Sequence, residues 1–594
     1  MVDRMKQRLV APVIISTFLI SALWGCGSTS PEQPALPAPG PSGEKALTVV
    51  VAVIDSLMPT DLDATAMPNV TALYEGGTLY RQSRSVFSAE TIPNHVAMMT
   101  GVYPDRNGIP TNNFWDREAL PNEPGDEDLD NPNEVTAKTL FTWIDEQCRV
   151  GAAPRNPGFK HSAAMSKTYL WEVFRGDDAD PQGNDAGITN IAPDVHWDPQ
   201  TSLAYIGPGS EHTPDNATGP QAVSQLPDAD FLFVNLGDVD RSSHAGGSAV
   251  RQGARTTADI QIGNLINNLK DNNRWENTIF IISSDHGMDF SDPATTPPTS
   301  PTPNGVANSV STQPLLDDLA DPVDGLTGLG CGYTPLLAVQ NGGTNSIVAT
   351  AAVTNAVEIT AREDSLRAAR ACVLNFDAEN DSTAGLCSDV VGANCYSTLS
   401  KPVYLDKIEH AWYVNPDLYS GNTLIGALAS DSNGITPDSI KSRHENLGDL
   451  VLVMGDGYKF SEPDASGNPI PGNHGHLVTI NNTIIIGGGA DFLRTGQEIT
   501  TGGVDIGGNF DPFDRAPEQS ENVDVAATVA WVLGLDIQNS QFPDAGGSFP
   551  DYGDSFERDG FDGRILTEAF VMPNDDFTVF PSNCGLAPDD VFIP

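Results

Sequence analysis

Five runs of uninterrupted apolar, mostly β-branched residues mark the chain: LTVVVAVI (47–54), FLFVNLG (231–237), TIFIISS (278–284), LVLVMG (450–455) and TIIIGGG (483–489). A strand with one wet face alternates apolar and polar residues; these runs do not. They predict strands covered on both faces, as in a parallel sheet between layers of helix. Between them the apolar spacing lengthens to a helical period, in TADIQIGNLINNLKDNN (257–273) and NVDVAATVAWVLGL (522–535). The alternation predicts an α/β/α sandwich with a mostly parallel central sheet and right-handed crossovers. A proline-, serine- and threonine-rich stretch at 291–314 interrupts the pattern. It predicts a core built from 47–290 and 446–594, with 291–445 inserted as a cap and LVLVMG returning the chain to the core. No internal repeat is evident.

The N-terminus follows a different logic. MVDRMKQR is basic, and LVAPVIISTFLISALWG then runs apolar up to Cys26. Residues 1–25 read as an export signal, outside the fold. LWGC resembles a bacterial lipobox, in which the cysteine is lipidated, so the expectation is an exported, lipid-anchored protein of the cell envelope. An uncleaved anchor helix and ordinary signal cleavage remain the alternatives. Residues 26–46 are proline-rich and read as a tether. Six further cysteines, an even number in an exported chain, point to disulfides, with Cys387–Cys395 the easiest local loop and the other pairings open. The formal charge of −48, from 79 acidic and 31 basic residues, argues against a nucleic-acid scaffold and against charge-driven binding to anionic membranes. Any membrane attachment would then run through the lipid on Cys26. An anionic substrate would need a strong local cation.

Candidate chemistry gathers where the apolar runs end. The first leads into Asp55, the second into Asp240-x3-His244 and the third into Asp285-His286. In open α/β sheets, functional groups collect beyond the carboxyl ends of strands. Asp240 and His244, four apart, share a face if a helical turn begins there. Far along the chain, GNHGH offers His474, with His476 as its rival. In SAETIPNH (88–95), Thr91 stands where a helix begins. It reads either as the helix cap or as a nucleophile at a helix N-terminus. Mixed carboxylates and imidazoles suit zinc or a similar divalent ion, and seven candidate ligands suit two ions rather than one.

The order Asp55, Thr91-Ile92-Pro93-Asn94-His95, Asp240-x3-His244, Asp285-His286-Gly287 and Gly472-Asn473-His474-Gly475 resembles the nucleotide pyrophosphatase/phosphodiesterases of the alkaline phosphatase superfamily. The resemblance implies an alkaline-phosphatase-like fold and a small-molecule phosphoester substrate. It also implies two divalent ions, zinc being expected. Asp240, His244 and His474 would hold one ion; Asp55, Asp285, His286 and Thr91 would hold the other. Thr91 becomes the nucleophile, passing through a phosphothreonine, and Asn112 a donor to the phosphoryl oxygen, with Asn113 its rival. Ile92 stands where nucleotide-cleaving relatives carry Phe, which weakens the expectation of a nucleotide substrate. The alternatives are a phosphomonoesterase or phosphonate hydrolase on the same scaffold, and a non-catalytic surface lipoprotein stabilised by metal.

Overall fold

The computed structural model describes residues 47–115, 134–149, 156–176, 190–197, 212–290, 471–475, 479–499, 520–535, 561–571 and Cys584. It also gives the backbone of short strands at 126–128, 309–310, 337–341, 344–348, 408–413, 450–454 and 459–460. The signal, the tether, Cys26, Cys387, Cys395 and His476 lie outside the described residues.

The central sheet has eight strands: β1 (Thr48–Ile54), β2 (Thr78–Arg84), β3 (His161–Ala164), β4 (Val195–Trp197), β5 (Phe231–Leu236), β6 (Thr278–Ser283), β7 (Asn481–Gly488) and β8 (Gln497–Ile499). Their order is β8-β2-β7-β6-β1-β5-β3-β4. All run parallel except β7, which is antiparallel to both β6 and β2. The unbroken apolar runs are explained by burial on two sides. Val49, Val51 and Val53 of β1 pack with Phe231, Phe233, Ile279 and Ile281 on one face. Val50, Ala52 and Ile54 pack with Leu232, Val234, Phe280 and Ile282 on the other. The first face is covered by α2 (Thr91–Thr100) and α7 (Val523–Leu533). The second is covered by α1 (Pro68–Glu75), α4 (Asp215–Gln225) and α6 (Ser248–Asp271). The result is the α/β/α sandwich expected, with its mostly parallel sheet.

One expectation is corrected. LVLVMG does not rejoin the central sheet. Leu450–Met454 stands in a separate antiparallel sheet, between Thr344–Val348 and Ile408–Tyr413, with Leu337–Asn341 at its edge. An apolar run reports that a strand is buried, not which sheet buries it.

Cys148, behind the helix Leu140–Ile144, is bonded to Cys584 across 436 residues of sequence. Among the described residues no helix is long and apolar enough to cross a membrane.

Candidate active site

The site lies beyond the carboxyl ends of β1, β5 and β6, where three strand-end loops meet two helix starts. Asp55 ends β1, and Ser56 after it adopts a left-handed conformation, φ 67°. That turn lets Ser56 donate its N–H to Asp285 Oδ1 at 2.8 Å, tying the β1 and β6 loops together. Arg251 of α6 holds the turn from behind, donating to Ser56 O, to Asp61 and to Ser243 Oγ. β5 leads into α5 (Asp238–Gly246), which presents Asp240 and His244 one turn apart, His244 Nε2 3.3 Å from Asp240 Oδ1. His474 arrives by a short pairing of Gly472 and Asn473 with Phe290 and Asp289. Gly472 is needed for this approach, because a Cβ there would sit 2.7 Å from Ser243 O.

Thr91 is the first residue of α2, and Glu90 occupies the cap position. The capping reading of Thr91 therefore falls. Its hydroxyl instead faces the site, 3.1 Å from Lys167 Nζ and 3.5 Å from His286 Nε2. Asn94 folds back to fix the approach to the helix, accepting from Val86 N and donating to Glu90 O. Asn112 lies beside the start of α2: its Oδ1 accepts from Ile92 N at 2.8 Å and its own N–H donates to Glu90 Oε2 at 2.9 Å.

The imidazoles follow one rule. His244 Nδ1 donates to Gly472 O, His286 Nδ1 to Gly287 O and His474 Nδ1 to Ala89 O, all at 2.8–2.9 Å. A carbonyl only accepts, so each Nδ1 carries the proton and each Nε2 is left to aim its lone pair into the site. This is the arrangement by which proteins orient histidine toward a metal. Facing them are buried carboxylate oxygens without hydrogen-bond partners, Asp240 Oδ1 and Asp285 Oδ2. They lie 3.6 Å from His474 Nε2 and 3.1 Å from His286 Nε2. Such orphaned acceptors are costly unless a cation joins them.

The possible donor atoms form two groups, Asp240–His286–His474 and Asp55–His95–Asp285, each within 4.8 Å. His95 is excluded as a ligand by its bonding: Nδ1 donates to Thr91 O at 2.8 Å, and Nε2 accepts from Asn235 Nδ2 at 3.0 Å. His286 stands between the groups, its ring stacked on His474 at 3.6 Å.

Charge is finely set here. Burial works to raise Asp240, yet Lys167 and then His244 hold its carboxyl well below the usual range. Burial also opposes ionisation of Asp285, and His286 outweighs it, so this carboxyl too is lowered. Asp55 is raised, by burial and by the charge of Asp285. Burial and then the neighbouring His286 push His474 well below its ordinary value. Glu90, buried beside Thr91, is pushed up to about 7, chiefly by desolvation.

Three residues escaped the sequence reading. Lys167, beyond the end of β3, lies 2.8 Å from Asp55 Oδ2 and 2.9 Å from Asp240 Oδ2. Burial disfavours its charge, but Asp240 and Asp55 together raise it well above its ordinary value. Tyr169, two residues on, has its ring centroid 5.8 Å from Lys167 Nζ. Asn235 of β5 donates to Asp55 Oδ1 at 2.6 Å, while its Oδ1 accepts from Ser166 N and Ser166 Oγ. An asparagine within FLFVNLG was a readable signal, since a buried amide in an apolar strand is expensive without partners.

Comparison with known proteins places this geometry in context. Residues 49–297 match the family described as type I phosphodiesterase / nucleotide pyrophosphatase. A bis(5'-adenosyl)-triphosphatase of Xenopus laevis is 25% identical over 227 residues, covering 37% of this chain and 43% of that protein. Ectonucleotide pyrophosphatase/phosphodiesterase family member 1 of Rattus norvegicus is 24% identical over 230 residues, 38% of this chain and 22% of its own. The matched stretch thus spans less than half the length of these relatives. Among solved structures, murine ectonucleotide pyrophosphatase / phosphodiesterase 5 in complex with AMP aligns with a TM-score of 0.48 at 15% identity, over 83% of this chain and 96% of that one.

Proposed function

We propose, from the match of residues 49–297 to the type I phosphodiesterase / nucleotide pyrophosphatase family, that this protein hydrolyses phosphodiester bonds of small molecules with Thr91 as nucleophile. The observation that carries the reading is the place of Thr91 Oγ1. It stands at the first turn of α2, beside three imidazoles with inward Nε2 lone pairs and carboxylates with orphaned oxygens. In this proposal Asp240, His244 and His474 hold one divalent ion, and Asp55, Asp285, His286 and Thr91 the other, with zinc the ion that suits the mixed nitrogen and oxygen set. Such ions would supply positive charge where negative charge gathers on the threonine oxygen and on phosphorus.

The residues divide the remaining work. Thr91 Oγ1 forms a bond to phosphorus while the ester oxygen departs with a proton. Water then cleaves the phosphothreonine and restores the hydroxyl. The start of α2 favours the developing oxyanion through its dipole and the Thr91 N–H. Asn112 fixes that start through Ile92 N–H and would donate to the phosphoryl oxygen. Asn235 and His95 keep Asp55 and the helix in register. Ile92 is 2% exposed and packed in the core, so it offers a substrate no surface to stack on. We therefore leave the leaving group unspecified rather than assign a nucleotide.

The same proposal has the chain exported, with 1–25 as its signal, 26–46 as a tether and Cys26 as the lipidated residue. The Cys148–Cys584 bond is in keeping with an oxidising compartment. The mass of the mature N-terminal peptide tests that part.

The activity is tested with the zinc-loaded full chain on bis-p-nitrophenyl phosphate, beside Thr91→Ala. Release that disappears in the variant, with a p-nitrophenyl phosphoryl group trapped on Thr91 after acid quench, is the expected result. Release that persists without Thr91 would overturn the assignment.

A further inference from the structure

We propose that Lys167 is a substrate-contacting residue that extends this site from diesters to phosphoryl groups carrying two negative charges, such as terminal phosphates and phosphonates. The inference rests on the reading of Thr91 as nucleophile and adds a specificity to it.

The first observation is distance. Lys167 Nζ lies 3.1 Å from Thr91 Oγ1. When the Oγ1–phosphorus bond forms and the ester bond breaks, the non-bridging oxygens come to within about 2.5 Å of Oγ1, the edge of a phosphate tetrahedron. A donor at 3.1 Å from the nucleophile is then in hydrogen-bond reach of one of them, the geometry that stabilises an oxyanion. The leaving oxygen takes the proton that Thr91 releases, so the lysine keeps its own and acts as a fixed charge.

The second observation is how firmly the ammonium is held. It lies between Asp55 Oδ2 and Asp240 Oδ2, and its side chain is 6% exposed. Its backbone is anchored on both sides. Ser166 N and Oγ bond to Asn235 Oδ1, and Lys167 itself bridges to His212 across an antiparallel pairing. Its charge also lies 5.8 Å from the Tyr169 ring centroid. A long, flexible side chain has thus already surrendered its freedom before a substrate arrives, which is the condition for preorganised catalysis.

The third is the division of the carboxylate oxygens. Asp240 turns Oδ1 toward His244 and His474 and Oδ2 toward Lys167. The lysine therefore does not compete for the oxygen that the imidazoles face. A role limited to neutralising Asp55 and Asp240 would not require its contact with the nucleophile. A diester shares one negative charge between two non-bridging oxygens, and a terminal phosphoryl group shares two charges among three. A protein-borne cation beside the nucleophile is worth more to the second.

The experiment compares the zinc-loaded full chain with its Lys167→Met and Lys167→Arg variants on p-nitrophenyl phosphate and bis-p-nitrophenyl phosphate. It also measures inorganic phosphate binding by calorimetry and bound zinc by atomic emission. Lys167→Met is expected to lower kcat/KM for the monoester by about 10²-fold and for the diester by less than about tenfold. Phosphate affinity should fall by about tenfold at unchanged zinc content, and Lys167→Arg should recover part of both. Equal losses on the two substrates, unchanged phosphate affinity, or loss of zinc from Lys167→Met would overturn the inference. Should Lys167→Met not fold, Lys167→Arg decides: a shifted monoester-to-diester ratio supports it and an unchanged one overturns it. If the wild type shows no Thr91-dependent cleavage, the parent reading fails, while phosphate binding still judges Lys167 by itself.

Discussion

The two halves of the candidate site are made of the same residue types and built in opposite ways. Asp55, Asp285 and His286 stand directly on the ends of β1 and β6 and are fully buried. The loops that carry them are tied by the Ser56 N–H donating to the Asp285 carboxylate at Oδ1. Asp240, His244 and His474 are carried by a helix and by a two-residue pairing from far along the chain, and the His244 side chain is 33% exposed. Strand ends fix position; a helix face and an incoming loop allow adjustment. The difference implies a tightly closed half beside Thr91, the proposed nucleophile, and a more accessible half through which groups exchange.

The largest test of this contrast is at the point where the halves meet. Thr91→Ala should lower diester turnover by at least about 10³-fold with the fold intact, read by steady-state kinetics and near-ultraviolet circular dichroism. Next, Asp285→Asn and His244→Ala should separate. The first removes a buried carboxylate proposed as a ligand and should abolish retention of one zinc equivalent on dialysis. The second should weaken zinc by about 10–100-fold and recover activity in excess metal. Equal behaviour of the two would erase the proposed difference between the halves. Asn235→Ala touches only the support of Asp55, and should cost about tenfold in kcat while KM stays near its wild-type value.

The smallest effect is one of pH. In chelator-treated protein Glu90 has its folded value raised from 4.5 to about 7. A raised acid contributes stability below its unfolded value and loses it as pH climbs through the folded one. The melting temperature should therefore fall between pH 4.5 and 7, and Glu90→Gln should flatten that fall, as scanning calorimetry can measure.

How much of this was readable beforehand follows from the same contrast. Asp55, Asp240, Asp285 and His286 were found because the runs before them are long and purely apolar, and the strand-end rule could then be applied. Lys167 obeys that rule too, but β3 is only His161–Ala164, HSAA, too short and too mixed to announce a strand. The direction of β7 was hidden for another reason: a strand covered on both faces has the same composition whichever way it runs. LVLVMG failed likewise, as a true strand in another sheet. His95 shows the limit from the other side. Within TIPNH it has a ligand's chemistry, and only its two hydrogen bonds reveal that both nitrogens are already engaged.

The bond between Cys148 and Cys584 gives the molecule a property that no single contact confers. It makes the chain a closed ring from a residue behind the helix Leu140–Ile144 to the end of the described fold. A protease that cuts once anywhere inside that ring yields two polypeptides but not two particles. They would migrate together on a non-reducing gel and part only with a thiol reductant. For a protein proposed to work outside the cell, where nothing resynthesises a damaged copy, that is a form of durability separate from thermodynamic stability.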